Sequence, residues 1–155
     1  MASKVFNTTF ENMLRLLLLV DTLNGPANSD RLAALDFICI YGKKCKILDR
    51  NLHGDNAFGF AEFANKREKI TEAIKLSVRN DFINVDRTDQ GFMYSINDRG
   101  RKIVRDIQSP YARSYIIGAK IACRRFADDS DESILEYINE RATESGGREN
   151  AKLYD

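Results

Sequence analysis

The sequence predicts a mainly α-helical domain with one small β-hairpin, in a winged-helix-like order with a C-terminal helical extension. Three observations lead there. Six segments place apolar residues at helical intervals, and residues 82–96 alternate instead. Three of the helical segments precede the alternating stretch, the order in which a third helix reads a groove and a hairpin forms the wing. A chain of 155 residues, 43% hydrophobic and 30% charged, can bury about 70% of its unfolded surface around a single core. The expected organisation is one domain over residues 1–145, with a core over about 8–107 and an extension over 109–145. A flexible tail over 146–155 follows.

Each element has a local cause. Thr8 and Glu11 have the spacing of a capping box, followed by Phe10, Met13, Leu14, Leu17, Leu18 and Leu23. Residues 16–20 are apolar on nearly every side, which predicts the most deeply buried helix. Asn24-Gly25-Pro26 ends it. Ser29 is the expected cap of a second helix with Leu32, Leu35, Phe37, Ile38 and Tyr41 inward, closed by Gly42. Residues 43–59 read as a long loop.

The third helix begins between residues 60 and 65 and runs to Arg79. Ile70, Ala73, Ile74 and Leu76 face inward, Val78 is expected buried, and Asn80 is the expected left-handed residue. In the hairpin, the face holding Ile83 and Val85 is expected against the core, with a polar turn ending at Gly91. Asn97 caps a short helix that carries Ile103, Val104 and Ile107 inward. Ser109-Pro110 starts the next, with Tyr111, Tyr115, Ala119, Ala122 and Phe126 along one stripe. Ser130 starts a last helix with Ile134, Leu135 and Ile138 inward, expected to end at Gly146-Gly147.

Several function classes are disfavoured. The longest apolar runs are far short of the roughly 18–20 residues of a membrane span, and no signal-peptide core follows Lys4, so a cytoplasmic location is expected. Cys39, Cys45 and Cys123 form no CxxC pair; Cys39 and Cys123 lie in apolar helical patterns and read as packed thiols. His53 is the sole histidine, too few for an ordinary zinc site, and reads as a solvated loop residue. With nearby Asp55 it forms a candidate pair for orienting a proton transfer. The sequence holds no phosphate loop, dinucleotide fingerprint, HExxH or GxSxG. The reading is therefore a protein that is not an enzyme and needs no cofactor or metal.

Net charge is +1, yet it is segregated. Residues 99–125 hold eight basic side chains against Asp106, and residues 128–144 hold seven acids against Arg141. The two blocks can pair within the fold, or each can meet a partner. Lys66, Arg67, Lys69, Arg99, Arg101, Lys102, Arg105, Arg113, Lys120 and Arg124 are the candidate contacts to DNA or to an acidic partner. Phe92 and Tyr94 on the wing, with Tyr111, Tyr115 and the outer side of the helix that bears them, are the candidate protein contacts.

Leu32-Ala33-Ala34-Leu35-Asp36-Phe37, Arg67-Glu68-Lys69-Ile70, the hairpin and Ser109-Pro110-Tyr111-Ala112 together resemble the small middle component of bacterial ABC-three-component systems, the group that includes Lamassu-type anti-phage and anti-plasmid defence. The resemblance spans roughly residues 8–135; the loop over 51–59 and the acidic last helix have no match in it. It implies a non-catalytic subunit that binds an ATPase resembling the structural-maintenance-of-chromosomes (SMC) proteins and an effector, often a nuclease. It also implies a role in coupling the sensing of foreign DNA to effector release. The alternative is a homodimeric winged-helix transcription regulator whose third helix reads bases through Arg67 and Lys69; an enzyme using His53 and Asp55 is the third reading.

Overall fold

The computed structural model describes residues 8–54 and 60–154. The elements run α1 (Thr9–Leu23), α2 (Ser29–Ile40), a 3-10 turn (Phe60–Glu62), α3 (Phe63–Arg79), β1 (Ile83–Thr88), β2 (Gly91–Ile96), α4 (Asp98–Asp106), α5 (Pro110–Arg125) and α6 (Asp131–Tyr154). The protein is thus mostly helical with one two-stranded antiparallel hairpin. Among the described residues no helix is long and apolar enough to cross a membrane.

The centre of the fold is α1. Leu16, Leu17, Leu18, Leu19 and Val20 are all buried, because α1 is surrounded by α3, α5, α4, β2 and α2. Burying each such side chain contributes about 1.5–3 kcal/mol relative to leaving it in water. α2 lies against α3 and α5 on one side and α6 on another, so residues 32–40 are buried without interruption. Phe37 meets the rings of Tyr41, Phe60 and Phe63 with centroids 4.9–5.8 Å apart.

Local caps set the boundaries. The amides of Glu11, Gly100, Ala112 and Ser133 donate to the side chains of Thr8, Asn97, Ser109 and Ser130. Among the described residues the buried Glu11 Oε2 has no hydrogen-bond partner. The cap of α2 is Asn28, one residue before the expected Ser29: its Oδ1 accepts from the Arg31 amide at 2.8 Å. Asp81 (φ 59°) is the left-handed residue after α3, whereas Asn80 keeps φ −89° and turns its amide onto α3 carbonyls. α6 passes through Gly146-Gly147, where the sequence suggested an end, to Tyr154. Two glycines cost about 2 kcal/mol there relative to alanines.

The hairpin pairs Ile83 with Ile96, Val85 with Tyr94 and Arg87 with Phe92. Asp89-Gln90 forms its turn, and Gly91 takes φ 101°. This face splits along its length: Ile83 and Ile96 are buried, whereas Val85 is 39% exposed and Phe92 54%. Val85 is therefore not core, and neither is Val78, 40% exposed, because the far half of the hairpin diverges from α3. A second connection fixes the hairpin's position. Ala27, between α1 and α2, exchanges two backbone hydrogen bonds with Tyr94, at 2.8 and 3.0 Å.

Gly100 sits where α4 crosses the hairpin's base, and a Cβ there would overlap the Phe82 carbonyl and the Ile96 side chain. Gly100→Ala is expected to lose about 1–2 kcal/mol, overpacking outweighing alanine's better helix propensity. Urea unfolding of the two proteins measures it, and unchanged stability would show that the two elements can separate freely.

Candidate functional site

Among the described residues no group of three or more His, Cys, Asp or Glu side chains could hold a metal ion. Burial pushes the thiols up, Cys45 to about 12 and Cys123 to about 11, and Cys39 well above its ordinary value. They therefore stay protonated and pack as small apolar groups. Asp55, the proposed companion of His53, lies outside the described residues.

The most charged part of the interior joins α1, α2 and α5. Arg15 donates from Nε and Nη2 to the two Asp36 oxygens at 2.8 and 3.1 Å, and the Tyr115 hydroxyl donates to Asp36 Oδ1 at 2.7 Å. Arg15 is 3% exposed, Asp36 and Tyr115 0%. Burial works against the Arg15 charge, but Asp36 overcomes it and raises the guanidinium pKa. Tyr115 is thus a core residue holding the pair in place, not the partner contact the sequence suggested. Tyr111, one turn earlier, is half-buried, and its hydroxyl lies 2.6 Å from His53 Nε2. Burial pushes Tyr111 up to about 12.

His53 is correspondingly not a solvated loop side chain. Burial, then the charges of Arg15 and Lys66, push it down to about 4. The unfolded chain takes up its proton near pH 6.5 and the folded chain only near pH 4, so stability is lost as pH falls through that window. Between pH 6.5 and 4.5 the full shift would remove about 2 kcal/mol, and partial solvent access reduces the expected loss to about 1 kcal/mol. His53→Gln should flatten that part of the urea-measured pH profile; an unaltered slope would refute the assignment.

The ten candidate cations meet different fates. Lys66 is 5% exposed, and burial lowers its pKa, aided by Arg15; it is not a surface contact. Arg67 is paired with Asp30, and Lys69 is half-buried. On α4, Arg99 lies 6.0 Å from the centroid of the Phe82 ring, Arg101 pairs with Asp98 at 3.1 Å, and Arg105 Nε reaches the Arg101 carbonyl at 3.4 Å. Lys102, Arg113, Lys120 and Arg124 are exposed and have no ion-pair partner among the described residues. Within the acidic block Arg31 holds Asp131 and Lys46 holds Glu144, both at 3.0 Å. Among the described residues only Arg125, 3.8 Å from Asp129, joins the two blocks.

Three of the free cations share one face. Arg113, Ile117, Lys120, Ile121 and Arg124 fall within an arc of about 100° on α5, opposite the buried Tyr115, Ala119, Ala122 and Phe126. Ile117 is 59% exposed and Ile121 44%. An apolar centre with a cationic border is the composition of a protein-docking face. The isoleucines were missed individually because the sequence reading followed only the inward stripe of this helix.

A second surface lies between α3 and the hairpin. Ile74, Lys75, Val78, Arg79, Val85, Phe92 and Tyr94 line a groove of about 360 Å³, near the lower limit for ligand pockets, roughly 300–1,000 Å³. Of the two hairpin aromatics, Phe92 is exposed and lines it, while Tyr94 is half-buried with its backbone tied to Ala27.

No curated protein and no solved structure matches this chain. One family model does, described as ABC-three component (ABC-3C) system Middle Component 2, and it covers residues 5–148. A match of that extent takes in α1 to α5, the hairpin and most of α6, so both exposed apolar surfaces belong to the shared domain. The chain belongs to the middle component 2 family of ABC-three component systems, and membership implies partner proteins.

Proposed function

We propose that this chain is a non-catalytic docking subunit of a defence complex of the group that includes Lamassu-type systems. It bridges an SMC-like ATPase and an effector, often a nuclease, and its fold is a winged helix with a helical extension. The observation that carries the reading is the α5 face: two exposed isoleucines bordered by Arg113, Lys120 and Arg124. An aliphatic pair left in water on an otherwise packed helix favours burial against a second protein. The Ala27–Tyr94 bridge beside the hairpin supports the winged-helix assignment, since it pairs one residue of the connector between the first two helices with the hairpin. DNA contact, if made through the free cations, is electrostatic and should fall steeply as salt rises.

The regulator reading is less well supported. It needs a polar third helix free to reach base edges, and here Lys66 is buried, Arg67 is paired and Val78 faces out. The test is co-expression with the products of the neighbouring genes. Co-purification of an ATPase component that depends on the α5 face supports the proposal; an isolated homodimer that footprints its own promoter overturns it.

A further inference from the structure

We propose that the groove between α3 and the hairpin receives a short acidic segment of a partner component. One bulky apolar side chain of that segment sits among Val78, Val85 and Phe92, and its carboxylates meet Lys75, Arg79 and Arg87. The proposal rests on the docking-subunit reading and adds the chemistry of what docks at this second surface.

Three large apolar side chains, 39–54% exposed, converge on a groove of about 360 Å³. Its charged lining is wholly cationic, Lys75 and Arg79. Arg87 joins them from the hairpin, as the cross-strand partner of Phe92 and so on the same face. Arg79 and Arg87 have no ion-pair partner among the described residues. Lys75 is shared with Glu72 at 3.4 Å on the exposed surface, a weak contact that a better-placed carboxylate displaces. An apolar floor with a rim of one sign selects an amphipathic acidic ligand. A nucleic acid backbone would satisfy the rim but leave Val78, Val85 and Phe92 against phosphate and water.

The experiment places the photo-crosslinking residue p-benzoylphenylalanine at Val85 in the full chain, co-expressed with the neighbouring gene products. The purified complex is irradiated, and the crosslinked peptide is sequenced by mass spectrometry. The expected result is one segment of a partner protein with at least two Asp or Glu residues within three positions of a Leu, Ile, Met or Phe. Arg79→Glu and Phe92→Ser should each lower the crosslink yield at least fivefold without changing the Tm of the chain. Crosslinking to nucleic acid, to a second copy of this chain or to a segment without acids overturns the inference. So does an assembled complex with no crosslink, and in these cases the docking-subunit reading stands. A chain that recruits no component at all overturns both.

Discussion

Asp36→Ala is expected to lower folding stability by about 3–5 kcal/mol, the largest effect of any single polar substitution here. The carboxylate is the sole ion-pair partner of Arg15 among the described residues and also accepts from Tyr115. Removing it leaves a guanidinium charge enclosed by α1, α2 and α5 with no counterion among the described residues, and takes the carboxylate acceptor from the Tyr115 hydroxyl. Truncating one partner is far worse than replacing both, because the desolvation of the survivor is no longer offset. The double variant Arg15→Met, Asp36→Leu should therefore recover much of the loss. Urea unfolding of the single and double variants measures the coupling. A single variant within 1 kcal/mol of the parent would show that water reaches Arg15 and that the pair does not hold the three helices.

Ile117→Glu combined with Ile121→Glu is expected to abolish co-purification of the partner component, weakening binding at least ~100-fold, while leaving the fold intact. Both positions are exposed in the isolated chain, so placing carboxylates there costs the monomer little. In a complex the same carboxylates would be buried against an apolar surface, a penalty of several kcal/mol. Arg113→Ala, Lys120→Ala and Arg124→Ala, being rim changes, should instead slow association and alter its salt dependence. The measurement is affinity capture on the co-expressed complex beside a thermal melt of the free chain. Full capture with both substitutions present would rule out α5 as the docking face.

Helices and caps were legible because their causes lie within four residues of one another. Thr8, Asn97, Ser109 and Ser130 each bond a backbone amide three positions ahead, and such a motif is complete in the local sequence. Asp36 shows the opposite case. It stood out within Leu35-Asp36-Phe37, yet its partners lie 21 and 79 residues away in the chain, so its role depends on how helices pack. The same holds for Lys66, whose helical position resembles that of Arg67 until α1 and α2 close over it. Val78 and Val85 look like core by composition and are exposed because two elements diverge, a distance that no periodicity encodes. The basic block was visible as a block, but which cations are spent on Asp98, Phe82 or a helix carbonyl depends on rotamers and neighbours.

The pair of backbone bonds between Ala27 and Tyr94 makes the hairpin part of the chassis rather than a hinged flap. A load applied at its tip by a moving neighbour meets those bonds in shear and passes to the connector between α1 and α2. From there it reaches a helix whose middle, residues 15–20, is buried on every side. Anything gripping the hairpin therefore also pulls on the connector between α1 and α2.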